Sequence, residues 1–252
     1  MNAVLTLDGL CKSFGGIVVA DHITLELERG QILGLIGPNG AGKTSLFNLI
    51  SGVVPPDAGD IRLNGVSILA RPPYQRARMG IARTWQQMRL FRTMTVLENM
   101  VVAPREYAAE SILNLVFKPG AVRRADEIAC EQAMGILERM HLSQCADSLV
   151  TDIPFGQQKL VGLARALMND GPCLLLDEPM AGVEGQAYDT MKAVVRQEAA
   201  AGRAVCVVEH NISFIKDLCT SAVFMSFGAI LEQGSVADLL ASKSLAELYF
   251  GL

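Results

Sequence analysis

Eight consecutive residues, Gly37-Pro38-Asn39-Gly40-Ala41-Gly42-Lys43-Thr44, combine three glycines with a lysine and a hydroxyl in the pattern G-x-x-x-x-G-K-[ST]. The glycines let successive backbone N–H groups curl around an anion, and a helix starting at the end of the loop adds partial positive charge. Lys43 can reach the β- and γ-phosphates of a nucleotide, and the Thr44 hydroxyl can ligate Mg²⁺. The flanks agree with that chemistry. Gln31-Ile32-Leu33-Gly34-Leu35-Ile36 is a short apolar run that reads as a buried strand, and Ser45-Leu46-Phe47-Asn48-Leu49-Ile50 is apolar at helical spacing.

A second group of residues complements the loop. Leu174-Leu175-Leu176-Asp177-Glu178 is an apolar strand ending in two acids. In a sheet built around such a loop, the strand lies beside it and delivers its carboxylates at the carboxyl edge. Asp177 there holds Mg²⁺ through water, and Glu178 orients and deprotonates the attacking water. Alone, an acid after a strand reads equally well as a helix cap. The loop upstream gives it the catalytic sense.

The elements that must position these groups follow from patterning. Val4-Leu5-Thr6-Leu7, Ile23-Thr24-Leu25-Glu26-Leu27 and Asp60-Ile61-Arg62-Leu63 alternate at period two, and Asn64-Gly65 predicts a hairpin turn. From Thr95 to Met168 the chain is mainly helical, punctuated by Pro104 and Pro119-Gly120. Within it, Ala125 to Met140 sets Ile128, Ala129, Gln132, Ala133, Ile136, Leu137 and Met140 on one face. Cys173–Leu176 and Ala204–Val208 predict buried strands flanked by helices such as Gly185 to Ala200. Ser221 to Leu231 reads as a buried strand and turn. The expected architecture is an α/β P-loop NTPase core with an antiparallel β subdomain and a helical insertion.

Composition narrows the class. Half of the 252 residues are hydrophobic, yet no apolar stretch approaches the ~18 residues of a membrane span. The N-terminus has no basic-then-apolar leader, so the chain is expected to stay in the cytosol. Six cysteines without a C-x-x-C pair argue against a zinc site or a disulfide framework. With a net charge of −4 and basic residues dispersed apart from Arg123-Arg124, nucleic acid is not an expected partner.

Ile153-Pro154-Phe155-Gly156-Gln157-Gln158 precedes the acidic pair by about twenty residues, where one large family of ATPases carries an LSGGQ signature. With Phe14, the GPNGAGKT loop, Gln86, LLLDEP, Ala181-Gly182-Val183-Glu184 and Glu209-His210 in order, the whole chain resembles an ATP-binding subunit of an ABC transporter. The resemblance implies one ATP-binding domain over residues 1–252. Residues 1–94 form the β subdomain and first part of the core, 95–168 the helical subdomain with the signature, and 169–252 the remainder. It implies that Phe14 stacks on adenine and that His210 bridges the γ-phosphate to the catalytic carboxylate. Gln86 contacts Mg²⁺ or the water; Gln87 is the other choice of register, but the order Thr-aromatic-Gln selects Gln86.

The same resemblance implies partners: a second ATP-binding subunit in a hetero- or homodimer, two integral-membrane permeases, and indirectly an extracytoplasmic solute-binding protein. The location is the cytoplasmic face of the membrane. In the dimer, Pro154, Phe155, Gly156 and Gln157 face the nucleotide held by the partner, with Glu184 in the D-loop. Two positions depart from the pattern. Pro154 replaces serine, removing a hydroxyl and a backbone N–H, and Glu184 replaces aspartate. The run Arg83 to Asn99, Phe14-Gly15-Gly16, the aromatic before Gly156, Glu178-Pro179-Met180-Ala181-Gly182 and Glu209-His210-Asn211 are similar to the branched-chain amino acid importer branch. More specifically the chain is similar to its LivG-type subunits, which carry an insertion resembling Ile112 to Arg124. Uptake of urea, amides or another small solute, and a catalytically weak regulatory subunit, are the alternative expectations.

Overall fold

A computed structural model describes residues 3–105 and 119–242. Strands β1 (Ala3–Phe14) and β2 (Ile17–Glu28) fold back on each other through Gly15-Gly16, burying Leu7, Leu10, Ile23 and Leu27 on one face. Strand β3 (Ile32–Ile36) is buried along its whole length, as a strand covered on both faces must be. It runs through the glycine loop into helix α1 (Lys43–Ile50), which sends Leu46, Phe47, Leu49 and Ile50 into the core.

Strands β4 (Ala58–Leu63) and β5 (Val66–Ser67) follow, joined at Asn64-Gly65 as the dipeptide predicts. Helix α2 (Pro73–Arg78) opens on a proline, whose missing N–H costs nothing in a first turn. It carries Arg76, which is 2% exposed. Its guanidinium donates to the carbonyls of Leu49 and Ile50 at the end of α1, and to those of Leu69 and Arg71, at 2.8–3.0 Å. Four main-chain acceptors that need partners are thereby satisfied.

Strand β6 (Ile81–Arg83) leads towards the helical segment. Helix α3 (Val96–Val101) begins in a capping box between Thr95 and Glu98. Helices α4 (Pro119–Arg139) and α5 (Phe155–Leu167) pack beside it, with Ala133, Leu137, Val161 and Ala164 fully buried. The rest alternates: β7 (Cys173–Asp177), α6 (Gln186–Ala200), β8 (Ala204–Val208), α7 (Ile212–Leu218), β9 (Ser221–Ser226), β10 (Ala229–Gly234) and α8 (Val236–Ala241).

The strands form two sheets. One is antiparallel, in the order β2-β1-β4-β5; the other runs β10-β9-β3-β8-β7-β6, parallel except for the antiparallel β9–β10 edge. The strand before the glycine loop therefore lies between β9 and β8, with the acid-bearing β7 next but one.

Among the described residues α4 begins at Pro119-Gly120, where the sequence places a break and where a proline fits the first turn. One local expectation changes. Ile128 lies on the outer face of α4 and is 56% exposed, so the buried stripe is narrower than the apolar pattern. Helix α5 begins at Phe155, with Pro154 as its N-cap residue. Of the insertion at Ile112 to Arg124, residues 112–118 lie outside the described residues, and the remainder belongs to α4.

Candidate active site

The glycine loop is built by close backbone approaches. A Cβ on Gly37 would collide with the Met225 carbonyl oxygen, and one on Gly42, at φ 101°, with that of Val19. Gly228 N–H donates to the Ala41 carbonyl at 3.0 Å, pinning the loop to the β9–β10 turn. Asn39, Gly40 and Thr44 are exposed, Pro38 half-buried. Lys43 opens α1 but is 6% exposed, and its Nζ donates to the carbonyls of Gly37 at 2.7 Å and Pro38 at 2.9 Å. Burial pulls its pKa down, while Glu178 and then Asp177 oppose that shift.

Asp177 ends β7 at 2% exposure. Its Oδ2 accepts from Arg83 Nη2 at 3.0 Å, and its backbone N–H donates to Thr84 Oγ1 at 3.0 Å. Desolvation raises its pKa, and Arg83 pulls it back. Asp177 Oδ1 and Arg83 Nε are buried with no hydrogen-bond partner among the described residues. A bare carboxylate oxygen in a dry site is costly unless a ligand takes it. Hard oxygen donors of this kind suit Mg²⁺, which is held by one or two carboxylates together with substrate phosphates. The described residues contain no cluster of three or more His, Cys, Asp or Glu that could hold a metal.

Glu178 adopts φ 47°, a left-handed conformation unusual for a side chain of its size and a recurrent mark of functional positions. Its N–H donates to the Val208 carbonyl at 2.9 Å, tying it to the end of β8. One carboxylate oxygen accepts from Gln86 Nε2 at 2.8 Å, and the other faces His210 Nε2 at 3.0 Å. Three residues from distant sequence segments thus meet at one carboxylate, with Gln86 rather than Gln87 in the register that reaches it. Glu209 lies beneath. Its buried carboxylate accepts from the N–H groups of Met180 at 2.7 Å and His210 at 3.1 Å, and burial raises its pKa.

The other sequence candidates lie apart. Phe14, at the end of β1, is 47% exposed, with Lys12 Nζ 5.2 Å from its ring centroid. Pro154 caps α5 without a side-chain hydrogen bond, and exposed Phe155 packs over Gly182. Pro154, Gly156, Gln157, Gly182 and Glu184 line one cleft. Among the described residues no hydrogen bond joins Pro154, Phe155, Gly156, Gln157 or Glu184 to Lys43, Asp177 or Glu178. Sequence reasoning passed over Arg83, Thr84 and Lys159. Lys159 is 8% exposed, one turn into α5, and its Nζ lies 3.4 Å from the Glu178 carbonyl. The available signal was a cation at a strand end and another on an apolar helix face.

A parallel sheet with a glycine loop after one strand and paired acids after a neighbouring one defines a P-loop nucleoside triphosphatase. The family model described as ABC transporter matches residues 20–181, and the chain belongs to that family of transport ATPases. It is 33% identical over 249 residues to the high-affinity branched-chain amino acid transport ATP-binding protein BraF of Pseudomonas aeruginosa, covering 98% of each. It is 32% identical over 251 residues to the corresponding protein LivG of Escherichia coli, again over 98% of each. Among solved structures, a nucleotide-free ATP-binding cassette from an ABC transporter superposes with TM-score 0.85 at 30% identity over 99% of both chains. The ADP conformation of a cassette superposes with TM-score 0.85 at 29% identity over 100% of both.

Proposed function

We propose that this chain is the ATP-binding and hydrolysing subunit of an importer for branched-chain or related amino acids, working at the cytoplasmic face of the membrane. The observation that carries the hydrolytic reading is the Glu178 carboxylate held between Gln86 and His210, just past the strand that ends in Asp177. The likeness to the two amino acid transport proteins over nearly the full length carries the solute class.

In this reading ATP lies along the loop Gly37–Thr44, its adenine stacked on Phe14. Lys43 exchanges the carbonyls of Gly37 and Pro38 for the β- and γ-phosphates. Thr44, Asp177 and Gln86 hold Mg²⁺, which supplies charge neutralisation to the phosphoryl oxygens. Glu178 accepts a proton from the attacking water, and His210 fixes the carboxylate and reaches the γ-phosphate. Pro154, Phe155, Gly156 and Gln157, with Glu184 nearby, close over the nucleotide of a second ATP-binding subunit. The dimer drives two permease subunits that receive solute from an external binding protein. No described helix is long and apolar enough to cross a membrane.

The test is co-purification with candidate permease subunits, followed by ATPase assay in proteoliposomes with a solute-binding protein. Stimulation by leucine, isoleucine or valine is expected. Stimulation by urea or amides alone would reassign the solute, and an ATPase rate unaffected by Glu178→Gln would remove the catalytic reading in favour of a regulatory subunit. The lack of a donor at Pro154 favours the regulatory reading for one of the two sites of the dimer.

A further inference from the structure

Arg83 is 5% exposed at its side chain and spans three elements. From β6 it donates Nη1 to Asn48 Oδ1 at 2.8 Å and to Ser51 Oγ at 3.1 Å, both at the end of α1. Its Nη2 donates to Asp177 Oδ2 at 3.0 Å. The guanidinium carbon lies 5.5 Å from the Phe47 ring centroid and 4.2 Å from that of Trp85. The Trp85 ring also carries Arg89, 3.9 Å from its centroid. Both terminal nitrogens of Arg83 are thus engaged, while its Nε is buried without a partner among the described residues.

Only one carboxylate oxygen of Asp177 is gripped. The second, Oδ1, is buried and has no partner among the described residues. The single Nη2 contact takes up Oδ2, and the Asp177 N–H is held by Thr84 Oγ1, which leaves Oδ1 as the oxygen open to a ligand. Most buried polar atoms have a partner, so a bare buried carboxylate oxygen points to one that binds there.

We propose that Arg83 is a positioning residue of the metal site. It holds Asp177 by Oδ2 so that Oδ1 is left to Mg²⁺, with the helix of the phosphate loop as its anchor. The proposal rests on the reading of Asp177 as a holder of the metal. It adds a residue that touches neither nucleotide nor metal. Partners behind a ligating carboxylate commonly set metal affinity by about tenfold or more.

The full chain is loaded with a non-hydrolysable ATP analogue, and Mn²⁺ is titrated in place of Mg²⁺ with free metal read by electron paramagnetic resonance. Asp177→Asn is expected to weaken Mn²⁺ binding; if it does not, the assignment of Asp177 to the metal fails. Given that loss, Arg83→Gln is expected to weaken Mn²⁺ by about tenfold while metal-free nucleotide affinity stays within about twofold. Unchanged or tighter Mn²⁺ binding in Arg83→Gln overturns the proposal and leaves Arg83 as packing. Should Arg83→Gln not fold, the double variant Asn48→Ala, Ser51→Ala keeps the arginine but releases Nη1. A loss of about threefold in Mn²⁺ affinity is then expected on the same principle, and no loss overturns the proposal.

Discussion

His210 Nε2 and Glu178 Oε1 lie 3.0 Å apart, each just beyond the end of one of two adjacent parallel strands. Backbone hydrogen bonds fix both strand ends, so the spacing is set by the sheet and not by a mobile loop.

That spacing separates three variants. Lys43→Ala removes the cation at the β- and γ-phosphates and should strongly weaken ATP binding. Glu178→Gln should retain ATP binding and lose at least about a hundredfold in turnover, because only the proton acceptor is changed. His210→Ala should resemble Glu178→Gln, since Gln86 alone then orients the carboxylate. Equilibrium nucleotide binding measured beside single-turnover hydrolysis checks all three, and equal loss of binding throughout would contradict the assignments.

Phe91 should contact a permease. It is 45% exposed, while its backbone N–H and carbonyl are held by the buried side chain of Asn99 at 2.8 and 3.0 Å. The ring is covered on one side by Arg165, at 5.0 Å. Phe91→Glu should therefore leave the unfolding midpoint and ATP binding of the isolated subunit intact and abolish co-purification with the membrane subunits. Unfolding of the variant would assign Phe91 to the core instead.

Pro154 should slow one site of a heterodimer. As N-cap of α5 it offers no side-chain hydrogen bond, where a serine would supply a donor. Loss of one donor to developing charge costs roughly a hundredfold in rate. In a dimer carrying Glu178→Gln here and an intact catalytic glutamate in the partner, Pro154→Ser should raise turnover by that order. Activity that is already high and does not change would leave Pro154 without a catalytic consequence.

Burial pushes the thiols of Cys173 and Cys219 up to about 12 from the ordinary 9.0 and raises Cys206 well above it. Because the folded pKa values are raised, the stability contributed by these neutral thiols is complete below the ordinary value. It is lost as pH rises towards 12. At pH 8 a disulfide reagent should titrate Cys11, Cys130 and Cys145, which are partly exposed, and reach the other three only after unfolding. Rapid native labelling of all six would contradict the buried placement.

The loop and the acidic pair were marked by their own residues because each motif is short and borders a buried strand, whereas His210 was marked through resemblance. Gln86 was legible only through resemblance, since nothing within its own segment points to Glu178, 92 residues away. Arg83 escaped for the same reason, its carboxylate partner lying 94 residues on. Asn99, Lys159 and Glu209 are buried polar residues whose partners are backbone groups, and backbone partners leave no mark in a sequence. Ile128 shows the opposite failure. An apolar residue at the right helical spacing is exposed because the stripe that α4 buries is narrower than the pattern around it.

Arg76 has one more consequence. Its named hydrogen bonds go to main-chain oxygens of Leu49, Ile50, Leu69 and Arg71, and main-chain oxygens are the same whatever side chains they carry. The junction between the phosphate-loop helix and the antiparallel sheet is thus written in geometry more than in letters. The exposed Leu69 and Arg71 can change with little effect on this contact, because only their carbonyls are used, whereas the arginine has no substitute. Deep mutational scanning should show Arg76 as intolerant beside tolerant positions 69 and 71, while the buried Leu49 and Ile50 stay apolar for packing.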